Sequence, residues 1–118
     1  MHNYKELKLW VKAIELVSDV YKTTSDFPDR EKYNLVNQIQ RAAISIPSNI
    51  AEGAGRNSNK SFVQFLAIAH GSTYELETQL IISKNLGYLL DSDLDRLINK
   101  IYEVQKMSFV LQRKLKQF

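Results

Sequence analysis

The chain has 118 residues, 44% of them apolar and 25% charged, with four Gly, two Pro and no Cys. That suits one domain, residues 1–118, with a core that needs no staples, and it excludes disulfides, zinc–thiolate centres and thiol catalysis. A formal charge of +3 and a pI near 9.1 permit contact with nucleic acid without requiring it.

The N-terminal stretch lacks the apolar run of a signal peptide, and no stretch is long enough to span a membrane, so a cytoplasmic location is expected. In the first helical segment Leu7, Trp10, Val11, Ile14, Val17 and Tyr21 recur at three- and four-residue steps, the period of a helix face turned to a core. Thr23-Thr24-Ser25-Asp26 and then Phe27-Pro28 end it. A second row, Leu9, Ala13, Leu16 and Val20, runs beside the first. A helix apolar on two sides is buried on two sides, so this second row is expected to join subunits of a homo-oligomer.

The second segment runs from about Arg30 to Ala54, with Leu35, Ile39, Ala42, Ala43, Ile46 and Ile50 on its apolar face. Pro47 removes a backbone donor and is expected to kink the helix. Gly53-Ala54-Gly55 closes it. Asn57-Ser58-Asn59 supplies caps for the third segment, whose buried face is Phe62, Phe65, Leu66, Ala69, Leu76, Leu80 and Ile81, and Gly87 stops it. Asp91-Ser92 caps the fourth, Leu94, Ile98, Ile101, Val104, Leu111 and Leu115 carry its stripe, and Arg113, Lys114 and Lys116 sit at the end the helix dipole favours. Short connections make neighbours antiparallel, so the expected fold is all-α: an antiparallel up-down-up-down four-helix bundle with its second helix kinked at Pro47.

Polar residues collect in the middle. Arg41, Ser45, Ser48, Asn49, Glu52 and Arg56 follow one another by three or four residues, and the third segment offers Gln64, His70, Ser72, Glu75 and Gln79. Folding the two segments back on each other predicts an Arg41–Glu75 ion pair. It places Ser45 near Ala69, where Gly71 and Ser72 leave room for close approach. The Ala43 carbonyl, deprived of its donor by Pro47, is expected to take one from Ser48, Asn49, Arg41 or water. Arg41, Ser45, Asn49, Glu52, Ser72 and Glu75 thus read as a structural polar network that sets the register of the bundle. The competing reading makes Glu52 and Glu75 an acid–base or metal pair. Metal bundles of that type use Glu-x-x-His motifs, which are missing here, and the only histidines are His2 and His70. The serines lack a matching base, and Gly53-Ala54-Gly55-Arg56 ends a helix instead of opening one. No catalytic residue, cofactor or metal is therefore expected.

Two stretches are distinctive: Ser45-Ile46-Pro47-Ser48-Asn49-Ile50-Ala51-Glu52-Gly53, and Ile68 through Glu77 with its Gly71-Ser72 and Glu75-Leu76-Glu77 elements. Together with Leu7-Lys8-Leu9-Trp10, Phe27-Pro28 and Tyr33-Asn34-Leu35, they resemble the 23S rRNA-intervening-sequence proteins over essentially the whole chain. The residues that match the motif are Arg41, Ser45, Pro47, Asn49, Glu52, Gly53, Gly71, Ser72 and Glu75; Asn34 stands where glycine is expected. The resemblance implies a bacterial four-helix bundle that forms a pentameric ring and has no assigned catalytic residue. It also implies kinship with accessory proteins of diversity-generating retroelements, which are basic pentameric bundles that bind nucleic acid and a reverse transcriptase.

The function expected from all this is a non-enzymatic oligomer that binds RNA or DNA nonspecifically. The expected contacts are Lys5, Lys8 and Lys12 on the first helix, Arg56 and Lys60 at the second turn, and Lys106, Arg113, Lys114 and Lys116 on the fourth. The alternative is a structural or adaptor module that presents a surface to a protein partner, with an enzyme ranked last.

Overall fold

The computed structural model describes residues 2–117 as four α-helices: α1 (Lys8–Thr24), α2 (Leu35–Ala54), α3 (Asn59–Asn85) and α4 (Asp91–Lys116). Single 3-10 turns, Tyr4–Glu6 and Asp29–Glu31, precede α1 and α2. Among the described residues there is no strand, and no helix is long and apolar enough to cross a membrane.

Local chemistry explains most of the boundaries. The second helix starts at Leu35, not near Arg30, because Asn34 holds a backbone (φ −115°, ψ −102°) that no α-helix continues through. Pro47 sits inside α2, which runs on unbroken to Ala54. At the start of α3 the Ser58 hydroxyl accepts from the Ser61 N–H at 3.1 Å, the side-chain cap that its sequence promises. At its end Gly87 takes φ +83°, the Tyr88 N–H bonds to the Ser83 carbonyl and the Gly87 N–H to that of Lys84. This left-handed closure is where a residue without a Cβ is needed. Asp91 is the first residue of α4 instead of its cap, and Leu90 ahead of it offers no side-chain bond.

Sequence neighbours pack antiparallel. Thr24 meets Gln40, while the His2 N–H bonds to the Ala54 carbonyl at the other end of α1 and α2. Ser45 meets Ser72, and Gly53 faces Phe62 and Phe65. Thr73 meets Gln105 and Glu77 meets Tyr102. Lys12 meets Glu103, and Asp19 meets Arg96 and Lys100, so α1 lies against α4. The resulting bundle measures 46 × 24 × 20 Å.

One apolar core threads all four helices, with Leu16, Ile39, Ile46, Leu66, Leu80 and Ile101 fully buried. Each such side chain contributes about 1.5–3 kcal/mol relative to exposure. The polar residues inside it are matched. Thr24 donates to the Val20 carbonyl, Thr73 to that of His70 and Ser83 to that of Gln79, and Ser108 accepts from Gln112.

On α1 the arrangement is the reverse of the sequence expectation. Leu9, Ala13, Leu16 and Val20 are the core row, each at most 4% exposed. The row of Leu7, Trp10, Val11, Ile14, Val17 and Tyr21 lies outside it, with Val11, Ile14 and Tyr21 exposed at 41%, 37% and 39%. Periodicity finds both rows but does not say which one points inward. Small Ala13 allows close helix approach, and Thr24 and Phe27 continue the same row into the core. The subunit contact expected of Leu9, Ala13, Leu16 and Val20 is therefore excluded, because the chain's own core consumes that row. Ile81, expected inside, is exposed, and Leu97, outside the expected stripe, takes a core place on α4.

Candidate functional site

Two features stand apart from the core: a run of hydrogen bonds between α2 and α3, and a concentration of charge at one end of the bundle.

The first involves half of the expected polar network. Asn49 Nδ2 donates to the Ser45 carbonyl at 2.8 Å and to its Oγ at 3.0 Å. Ser45 Oγ lies 2.9 Å from Ser72 Oγ, which reaches the Ile68 carbonyl at 3.2 Å. A carbonyl can only accept, so Ser72 spends its proton on Ile68 and Ser45 must donate to Ser72. The bonds therefore run one way, from Asn49 through Ser45 and Ser72 to the backbone of α3. All three side chains are half-buried, which fits a fastener between helices.

Arg41, Glu52 and Glu75 do not join it. The predicted Arg41–Glu75 ion pair is not formed, and both side chains are exposed. The Ser45–Ser72 register places Arg41 within a turn of Glu75, but a solvated pair is worth at most about 1 kcal/mol and does not compel contact. Glu52 bonds Arg56 on its own helix at 3.1 Å. The same register sets Glu52 and Glu75 about 15 Å apart along the bundle axis, ten residues at 1.5 Å each. They do not face each other as an acid–base pair would. The Ala43 carbonyl receives no bond from Ser48, Asn49 or Arg41; the Asn49 amide goes to Ser45 instead. Gly71 is exposed with open space where a Cβ would be, so it is not the point of close approach. That point is Gly53, where a Cβ would lie 2.7 Å from Phe65 Cβ and 2.9 Å from the Phe62 ring.

His70 sits beside Tyr74, its Nε2 3.3 Å from the phenol oxygen, and its buried Nδ1 has no partner. Burial pushes the imidazole below its ordinary range. Among the described residues no three His, Asp or Glu side chains gather where a metal could be held.

The second feature comes from topology. α1 and α3 begin, and α2 and α4 end, at one pole, where the His2 ring packs tilted against Phe62 with centroids 5.1 Å apart. The end of the bundle built from residues 2–12, 49–65 and 103–117, 43 of the 118 residues, holds nine Lys or Arg and three Asp or Glu, a net of +6. The remaining 75 residues hold seven and ten, a net of −3. All nine expected nucleic-acid contacts fall at the basic end. Two of them are already paired: Lys12 with Glu103 at 3.2 Å and with Glu15 at 3.8 Å, and Arg56 with Glu52. Arg56 also lies over the Phe65 ring, 4.7 Å from its centroid. Lys5, Lys8, Lys60, Lys106, Arg113, Lys114 and Lys116 have no carboxylate within 4 Å among the described residues.

The model of the family described as 23S rRNA-intervening sequence protein matches residues 5–109. The chain belongs to that family. Among solved structures, a protein of unknown function from the S23 ribosomal protein family of Bacteroides thetaiotaomicron VPI-5482 superposes with a TM-score of 0.79. It is 22% identical and the match covers 88% of this chain and 97% of that one, a likeness that establishes the fold alone. No curated protein matches the chain. The family match covers all of α1, α2 and α3 and ends inside α4, ahead of Arg113, Lys114 and Lys116.

Proposed function

We propose that this family member is a non-enzymatic, self-assembling bundle that holds RNA or DNA by its phosphates. The observation that carries the reading is the segregation of charge, +6 against −3 along one 46 Å axis. Lysines scattered over all faces would merely solvate the protein; gathered at one pole they make a field that a polyanion senses. Backbone phosphates offer no sequence information, so such binding is nonspecific and steeply salt-dependent. Self-assembly is supported by the outer row of α1, where Val11, Ile14 and Tyr21 remain part-exposed beside half-buried Leu7, Trp10 and Val17. A ring built side by side through that row would bring several basic poles to one face and multiply the field.

The test is fluorescence anisotropy with a labelled 30-nucleotide RNA and a duplex DNA between 50 and 200 mM KCl. If about four phosphates are neutralised, affinity falls roughly a hundredfold over that range. Lys60→Glu with Lys116→Glu weakens binding at least tenfold, whereas Lys22→Glu with Lys32→Glu at the opposite pole leaves it within twofold. Absence of binding at 50 mM KCl, or equal losses from the two pairs, rejects the reading.

A further inference from the structure

At the basic pole, α4 and the start of α1 enclose an open groove of about 400 Å³. Its floor is Leu7, Leu9, Met107, Val110 and Leu111, and its rim is Lys8, Lys106 and Lys114. Nucleic-acid binding does not account for it, because phosphates gain nothing from an aliphatic floor. Nor is it core, since Val110 is 51% exposed. Apolar surface framed by cations is complementary to a molecule with an alkyl body and an anionic head.

We propose that this groove binds a single-chain anionic amphiphile, a fatty-acid-like carboxylate whose chain lies on Met107, Val110 and Leu111 and whose head meets the lysines. Several observations select this occupant. The volume falls in the range of small-molecule sites, about 300–1,000 Å³. Lys106 and Lys114 are eight residues apart on α4, about 12 Å along the helix, and bracket the apolar strip. A partner protein would need roughly 800 Å² on each side, far more than five side chains offer. The three rim lysines have no carboxylate partner within 4 Å among the described residues, so an anionic head displaces no existing ion pair. Met107, unbranched and adaptable, suits a floor that must close over a flexible chain. The proposal stands independently of nucleic-acid binding. If both hold, the two ligands compete for Lys8, Lys106 and Lys114.

The experiment is isothermal titration of the full chain, free of nucleic acid, with octanoate, decanoate and dodecanoate below their micellar concentrations. Dodecyltrimethylammonium, of the same length and opposite charge, serves as the control. Dodecanoate binds at one site per chain, and affinity rises two- to fourfold per added methylene, fourfold being full burial. The cationic amphiphile binds at least tenfold more weakly. Val110→Asp removes binding while circular dichroism shows an unchanged fold. Lys106→Gln with Lys114→Gln weakens dodecanoate at least fivefold and leaves the cation unaffected, a second arm that does not depend on Val110→Asp folding. No saturable submillimolar binding, equal affinity for the two head groups, or full affinity in both variants overturns the proposal. So does sedimentation that shows self-association lost in Val110→Asp but insensitive to dodecanoate, because the groove would then be covered by a second copy.

Discussion

The Asp19 carboxylate on α1 receives two hydrogen bonds from the Arg96 guanidinium on α4, each 3.0 Å long, one to each oxygen. Lys100 adds a third at 2.8 Å, and Arg96 also reaches Asp93 and Thr23. The side chain of Asp19 is only 14% exposed. Burial works against its charge, but the hydrogen bonds from Arg96 and Lys100 and their positive charges prevail and hold its pKa at about 2.

This fastener makes stability depend on acid. The folded pKa lies below the unfolded value of 3.8, so the contribution is complete above about pH 4 and disappears as pH falls towards 2. A shift of this size is worth up to about 2.5 kcal/mol, and solvent screening of the part-exposed Arg96 and Lys100 reduces it to about 1–2. Urea titrations at pH 7, 4 and 2.5 should show that loss in the parent chain, with Asp19→Asn less stable at pH 7 and flatter across the series. An Asp19→Asn variant with the parent's pH slope would assign the acid sensitivity to other carboxylates.

Two glycines in helical positions should respond oppositely to alanine. Gly53→Ala drives a methyl into Phe65 Cβ, the Phe62 ring and, at 3.3 Å, the Phe62 carbonyl, and costs about 1–3 kcal/mol. Gly71→Ala meets nothing within 4 Å and gains about 0.5–1 kcal/mol from helix propensity. Thermal melts of the two variants separate the cases, and a shared sign would refute the assignment of Gly53 as the contact point.

The two rows of α1 make a further pair. Leu16→Ala opens the core and costs about 2–5 kcal/mol in chemical denaturation. Ile14→Glu changes the fold by no more than about 0.5 kcal/mol, but lowers the assembly mass measured by light scattering. If Ile14→Glu were the more destabilising of the two, α1 would have to be rotated.

The Asn49–Ser45–Ser72 run can be measured by a double-mutant cycle. Ser45→Ala, Ser72→Ala and the double variant should give a coupling of about 0.5–1 kcal/mol, because each hydroxyl is bonded through the other. Strict additivity in urea unfolding would show that the two hydroxyls are merely adjacent.

Helix number and part of the turn chemistry were legible in the residues. Ser58, Gly87 and the Phe27-Pro28 break act through local backbone rules, and a local rule can be read from a local sequence. The orientation of α1 was not, because both of its rows satisfy the same period and only partners distant in sequence choose between them. Arg41–Glu75 failed for a related reason: register brought the groups near, but nothing in the sequence reveals that both face water. The serine contact was partly visible, since Ser45 and Ser72 stood in a polar column, yet its direction needs the Ile68 carbonyl. The Asp19–Arg96 fastener was not expected, though Glu15 and Asp19, two acids four residues apart on the flank of α1's apolar row, were a signal that could have found it. The charged pole required only the topology, which aligns the first and last segments of a chain whose lysines are concentrated there.

That alignment also fixes how the molecule would meet a polyanion. A rod with opposite charge at its two ends carries a dipole along its length, so on an anionic lattice it would stand upright instead of lying along it. The footprint is then the narrow cross-section, 24 by 20 Å, and not the 46 Å flank. On duplex DNA that width spans about seven base-pair steps at 3.4 Å each. A coat of such upright rods would be dense, and its outward surface would be acidic.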